Sequence, residues 1–293
     1  MGHLGFWTAF ASWTIILTVT GAVCLRFAGL PWSVIMAATL CPSSLFVLMT
    51  GQISFLTGSF FIASLLLMDS RPAIAGGLAA LTILKPQVAL LGPIAFLSQM
   101  KWRGILAGLI FFGLICLLTT WALGPETWAM YLHQGMSSSE LLLHLPFPTK
   151  FNSQYQGNFE YEGISVFYFL RSLGAGLTVA SSGQILSATL AIIICWRLWR
   201  PASEAGFARV PLTTFLGLLV TPYAFIQDMF AFSVGIILMV WKRQSLEFGD
   251  VILLMYPAFV TISGIDLNID IGPLFVLWAG LRAYATIPNP RHI

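Results

Sequence analysis

The residues best placed to do chemistry are Lys85 and Gln87, on either side of a proline in Leu84-Lys85-Pro86-Gln87. They sit inside a long apolar stretch, residues 73–98, bounded by Asp69/Arg71 and Lys101/Arg103. A lysine at the centre of a membrane helix costs about 2.5 to 3.5 kcal/mol on insertion scales. Such a residue marks a site, unless it stands at a helix tip and snorkels to the headgroups. Pro86 has no backbone donor and disfavours helix at the residue before it, so the helix is expected to break at Lys85. Broken backbone at membrane depth must line a polar cavity or be covered by protein. A fixed cation beside amide donors suits a phosphate or pyrophosphate group.

Other polar residues carry weaker signals. Gln52 follows Gly51, where backbone can approach closely, and also reads as a helix-end amide. Asp228 lies six residues after Pro222 at the start of an apolar helix. It is either a first-turn acid favoured by the helix dipole or a catalytic or binding carboxylate. Asp266 and Asp270 read as a solvated loop pair. His133 and His144 lack metal-ligand spacing and read as exposed loop histidines. There is no GxSxG, HExxH or phosphate-binding P-loop motif, so neither ATP hydrolysis nor a metal or cofactor is expected. Cys24, Cys41, Cys116 and Cys195 lie in apolar stretches without CxxC pairing and read as small buried hydrophobes.

These residues need a scaffold, and composition says which kind. Of 293 residues 58% are hydrophobic and 9% charged, with mean hydropathy +0.87, against about 25% charged in a soluble domain. The expectation is one all-helical membrane domain over residues 1–293 with about ten membrane segments, some half-length and broken at proline. The net charge of +3 is too small to suggest nucleic acid. Apolar runs at 4–25, 31–49, 53–68, 105–123 and 177–199 read as spans, and 73–84 and 86–98 as half-helices meeting at Lys85. Runs at 210–220, 225–241, 251–263 and 271–281 complete the set. Residues 124–165 hold Trp128, Tyr131, Lys150, Asn152, Gln154, Tyr155 and Asn158; their interleaved aromatics predict an interfacial segment.

Charge fixes orientation. Placing Arg26, Arg71, Lys101, Arg103, Arg197, Arg200, Arg209, Lys242, Arg243, Arg282 and Arg291 in the cytoplasm leaves only Lys85, Lys150 and Arg171 outside, as the positive-inside rule requires. The outer face then collects Gln52, Lys85, Gln87, the 124–165 segment, Tyr223 to Asp228 and the Asp266–Asp270 turn. It also puts the N-terminus outside with no span before it, which reads as a missing earlier helix.

Several segments, in order, resemble glycosyltransferase family 87. Gly51-Gln52-Ile53-Ser54-Phe55-Leu56 is similar to its GGQN-x-x-L element. Arg71-Pro72-Ala73-Ile74-Ala75-Gly76 with Leu84-Lys85-Pro86-Gln87 matches its R-P-x-x-A-G…K-P-Q signature. Lys101-Trp102-Arg103, Gly124 to Trp128, Ser165 to Gly174 and Thr221-Pro222-Tyr223 to Asp228 resemble four further elements, with Gln227 where the family often has tyrosine. The resemblance implies a GT-C-type enzyme of the bacterial inner membrane. Such an enzyme passes a sugar, often mannose, from a polyprenyl-phosphate donor to a lipid or glycan acceptor. By position, Lys85 and Gln87 would meet the donor phosphate, Gln52 would line the cavity, and Tyr223 and Asp228 would border it. GT-C enzymes place a catalytic acid in the first outer loop. No acid precedes Asp69, so Asp228 is the in-chain substitute, and an impaired or inactive protein is one expectation. Broken helices also suit a lipid or solute transporter.

Overall fold

The computed structural model describes residues 5–147, 159–200 and 206–287. All described elements are helical. The polar run through Lys150, Asn152, Gln154, Tyr155 and Asn158, together with Glu204 and Arg291, lies outside the described residues.

Helix α1 (Phe6–Phe27) runs to a turn at Gly29. The expected second span is two helices, α2 (Trp32–Leu40) and α3 (Pro42–Thr50), bent by 62°. Pro42 explains the break: it opens α3 and holds Cys41 extended, at φ −70° and ψ 156°. Hydroxyls cover the broken backbone. Ser44 donates to the Ala38 carbonyl, and Ser43 reaches Ser233 across 2.8 Å.

Helix α4 (Ser54–Leu67) is buried along almost its whole length. α5 (Pro72–Leu81) continues into a 3₁₀ turn at Thr82–Leu84. Lys85 is extended, at φ −151° and ψ 75°, and a second 3₁₀ turn (Pro86–Val88) leads to α6 (Leu91–Ser98). Two half-helices thus meet at Lys85. α7 (Trp102–Leu123) is nearly bare, with only Gly104 buried. Its exposed Leu109, Ile110, Leu117 and Trp121 belong against hydrocarbon rather than water.

The 124–165 segment is not a loop at its start: Glu126–His144 forms α8. A 3₁₀ turn (Phe159–Glu162) leads to α9 (Val166–Ser172), whose first turn is capped by the Ser165 hydroxyl accepting from the Tyr168 N–H. Then come α10 (Leu177–Trp199) and α11 (Gly206–Val220). A 3₁₀ turn at Ile226–Asp228 precedes α12 (Phe230–Arg243). α13 (Phe248–Met255) and α14 (Val260–Leu267) are bent by 77° around Pro257, and α15 (Gly272–Ala285) is the last described helix. Among the described residues three helices, α1, α7 and α10, are long and apolar enough to cross a membrane, and up to five if each bent pair is one span. The protein is an all-helical membrane protein.

The core is α4, α11 and α12, with α1, α7 and α10 at the rim. Backbones touch where glycines face each other: a Cβ on Gly76 of α5 would lie 1.9 Å from the Gly104 carbonyl of α7. Small residues permit this approach, and van der Waals contact holds membrane helices together.

The contacts between connecting segments gather them at two ends. One end is basic. It holds Lys101–Asp69 (2.9 Å), Arg71 over the Phe27 ring (5.0 Å), Arg209 over Trp199 (5.6 Å), and Arg282 bonded to Glu247 and Asp250 (2.7 Å each), with Arg243 on the same two acids. Ser54, Lys85, Asp228 and Asp270 occupy the opposite end.

Candidate functional site

Three breaks in helix meet at one point. The start of α4 supplies Ser54, the α5–α6 break supplies Lys85, and the turn before α12 supplies Asp228. Lys85 Nζ lies 2.6 Å from Asp228 Oδ1 and donates to Ser54 Oγ at 2.6 Å. The Ser54 hydroxyl is 3.5 Å from the same carboxylate oxygen. Asp228 Oδ2 accepts the Phe225 N–H at 3.2 Å. Lys85 is 8% exposed and Asp228 2%.

The sequence dictates this junction locally. Pro86 forces Lys85 out of helix and so aims its side chain across the bundle instead of along α5. Thr221 Oγ1 accepts the Tyr223 N–H at 3.1 Å, which tightens the turn after α11. Asp228 then caps the Phe225 N–H three residues back. Asp228 caps the turn, as the first-turn reading expects, and also pairs with the buried lysine. Snorkelling does not describe Lys85, whose ammonium is held inside the protein. Ser54 is the residue that sequence reasoning passed over. Its signal was a hydroxyl at the first position of an apolar helix, two residues after Gln52.

Gln52 is half-buried just after the left-handed Gly51 (φ +66°), and Gln87 is half-buried in the turn that follows Lys85. Neither side-chain amide bonds another described residue. Tyr223 is half-buried in the turn before Asp228. The five sequence candidates therefore lie on segments at one end of the molecule, and Lys85 and Asp228 are in direct contact.

The expectation of a solvated Asp266–Asp270 pair holds for Asp266, which is exposed, and fails for Asp270, which is 2% exposed. Asp270 Oδ1 accepts the Gly272 N–H at 3.1 Å, and its own N–H donates to Ser172 Oγ at 3.0 Å. Its Oδ2 is buried without a partner among the described residues and sits where a Cβ on Gly163 would come within 2.7 Å. Burial drives this carboxyl well above the usual carboxylate range, against the pull of the Gly272 N–H. Period and spacing could not foretell this, because α9 and the 159–165 segment, distant in sequence, fold over the turn. That segment also reaches the junction: the Ile164 N–H donates to the Ala224 carbonyl at 2.9 Å.

His133 and His144 are exposed but helical, on α8. Among the described residues no three His, Cys, Asp or Glu gather as a metal site would need. Cys24, Cys41 and Cys195 are buried and Cys116 is half-buried, all as free thiols.

Beside the junction an apolar cleft of about 340 Å³ opens between α5, α6 and α7. It is lined by Ala79, Thr82, Ile83, Pro86, Leu90 and Phe112. It begins at the Lys85 break and runs toward Gly104 at the basic end. Pro86 forms part of its wall; Lys85 and Asp228 do not line it.

Comparison with known proteins adds one finding. Residues 1–222 match the family model described as glycosyltransferase family 87. No curated protein and no solved structure matches the chain. The matched span contains Gln52, Ser54, Lys85 and Gln87; it ends at Pro222, just short of Tyr223 and Asp228.

Proposed function

We propose, from the premise that the chain belongs to glycosyltransferase family 87, that it transfers a sugar from a polyprenyl-phosphate donor to a lipid or glycan acceptor. Family membership gives glycosyl transfer between a sugar donor and an acceptor in a membrane protein. The finer terms are our reading: a mannosyl donor, a GT-C-type arrangement, the outer face of a bacterial inner membrane, one domain over 1–293, and an interfacial segment at 124–165.

The observation that carries the lipid-linked donor is the pairing of a buried cation at a helix break with an apolar cleft beginning beside it. A polyprenyl phosphate has the same two parts, a hydrocarbon chain and an anionic head. The chain would lie in the cleft along α5 and α7, and the phosphate would reach Lys85, with the free amides of Gln52 and Gln87 as added donors. Tyr223 would border the sugar.

The junction suggests how the charges exchange. Lys85 neutralises Asp228 at 2.6 Å. A donor phosphate competes for the same ammonium. As Lys85 turns to the phosphate, Asp228 Oδ1 loses its cation and becomes the better proton acceptor. The acceptor hydroxyl gives its proton to Asp228, its oxygen bonds to the anomeric carbon, and the bond from that carbon to the phosphate oxygen breaks. Polyprenyl phosphate leaves with both electrons of that bond, stabilised by Lys85. General-base help of this kind is worth about 10²–10⁴-fold.

The test is transfer in proteoliposomes. Labelled sugar should move from polyprenyl-phosphate mannose to an added lipid acceptor, and not from a nucleotide sugar. Transfer from the nucleotide sugar alone would overturn the donor assignment.

A further inference from the structure

We infer that a second groove, remote from Lys85, binds an anionic phospholipid, with an acyl chain along α15 and the phosphate on Arg197. The groove and its cation stand apart from the transferase reading, and only the exclusion of the donor as occupant rests on it. The groove has a volume of about 520 Å³ and lies between α10 and α15, with α11 as its floor. Val276, Gly280 and Tyr284 recur every four residues, so they share one face of α15. From Val276 to Tyr284 the groove follows the helix for about 12 Å. Gly280 keeps it open, since an added Cβ would meet only Leu212, at 3.7 Å. Ile193 and Leu277, both on its walls, are strongly exposed.

An apolar groove facing hydrocarbon fills with some chain whatever its chemistry. The charge at its end selects which. The polar side chains lining the groove are Arg197 and Tyr284, and both stand toward the basic end. Arg197 occupies the last turn of α10 and is exposed. It makes no hydrogen bond or ion pair with another described residue. Of the other basic residues at this end, Arg282 is bonded to Glu247 and Asp250 and buried Arg209 lies over Trp199, while exposed Arg200, three residues on, does not line the groove. Arg197 is thus an exposed cation at the basic end of an apolar groove. Basic pockets between membrane helices recognise anionic headgroups in this way. A polyprenyl-phosphate donor bound here would place its phosphate at the end opposite Lys85, so the occupant is a membrane phospholipid and not the substrate.

One cation at the membrane surface favours an anionic lipid by about fivefold. The experiment is native mass spectrometry of the purified full-length protein, delipidated and then equilibrated with equal amounts of phosphatidylglycerol and phosphatidylcholine. The wild type should retain phosphatidylglycerol about fivefold over phosphatidylcholine. Arg197→Gln should bind the two equally, and Arg197→Lys should keep the preference. Gly280→Leu, which fills the slot, should lower both adducts. Because Arg197 is exposed, its variants fold, and that pair decides the matter even if Gly280→Leu does not. Equal retention by the wild type, an unchanged preference in Arg197→Gln, or loss of preference in Arg200→Gln instead would overturn the inference.

Discussion

Removing the Lys85 ammonium does two things that separate variants can distinguish. Lys85→Ala leaves Asp228 buried beside Ser54 with no cation. Breaking a buried pair from one side costs about 3 to 5 kcal/mol, whereas removing both charges is often neutral. Lys85→Ala should therefore lower the thermal unfolding midpoint in detergent, and Lys85→Met with Asp228→Asn should recover it, since Asn still accepts from the Phe225 N–H. A double variant as unstable as the single one would show that the pair is not what the single variant loses. Asp270 behaves oppositely, because its Oδ2 is buried without a partner among the described residues. Its carboxyl titrates well above the unfolded value of about 3.9, so the folded state holds a proton that the unfolded state has released. Below that unfolded value the group costs nothing. As pH rises from there toward the folded value, stability falls, by up to about 1.4 kcal/mol per pH unit. Asp270→Asn should remove that decline, so its unfolding midpoint should overtake the wild type progressively above pH 4. Parallel curves would contradict it. Lys85 was legible in the sequence because a charge in an apolar run beside proline has few explanations. Asp270 was not, because its burial comes from α9 and Gly163, far away in the chain.

Prolines divide the elements into legible and illegible cases by the same rule. The break at Lys85-Pro86 could be read because the flanking runs were each too short to span. The break at Cys41-Pro42 was missed because residues 31–49 add up to a plausible single span when counted by hydropathy alone, and the one at Pro257 because the 251–263 run was counted as one segment without weighing its proline. Counting apolar residues measures length and is blind to a 62° or 77° bend. α8 was hidden for another reason: its polar face lowers hydropathy, while its 19 residues still close helical hydrogen bonds. Packing between elements makes its own prediction at Gly76. An alanine there would push its Cβ to 1.9 Å from the Gly104 carbonyl. α5 and α7 must then separate, at a cost of about 1 to 3 kcal/mol. Gly113→Ala on α7 meets nothing within 4 Å and should be neutral or stabilising by up to about 1 kcal/mol. Thermal unfolding of the two variants checks the contrast; equal effects would mean that the helices do not touch at Gly76.

The whole molecule has a basic end and a site end, and the proposal requires them to face opposite compartments. Single cysteines at exposed Glu140 and Ser245 should label with an impermeant maleimide from opposite sides of sealed vesicles, Glu140 from outside. Labelling from one side only would separate the site from the outer face and with it the proposed reaction. The most direct measurement combines sidedness, fold and chemistry. Proteoliposomes carrying either the wild type or the Lys85→Met/Asp228→Asn variant are given labelled polyprenyl-phosphate mannose and a lipid acceptor, after both proteins are shown to unfold at the same temperature. The wild type should yield labelled product with release of polyprenyl phosphate, and the variant should fall by at least about 10²-fold. Transfer by the double variant at the wild-type rate would contradict the account, because the buried junction would then hold helices together and do no chemistry.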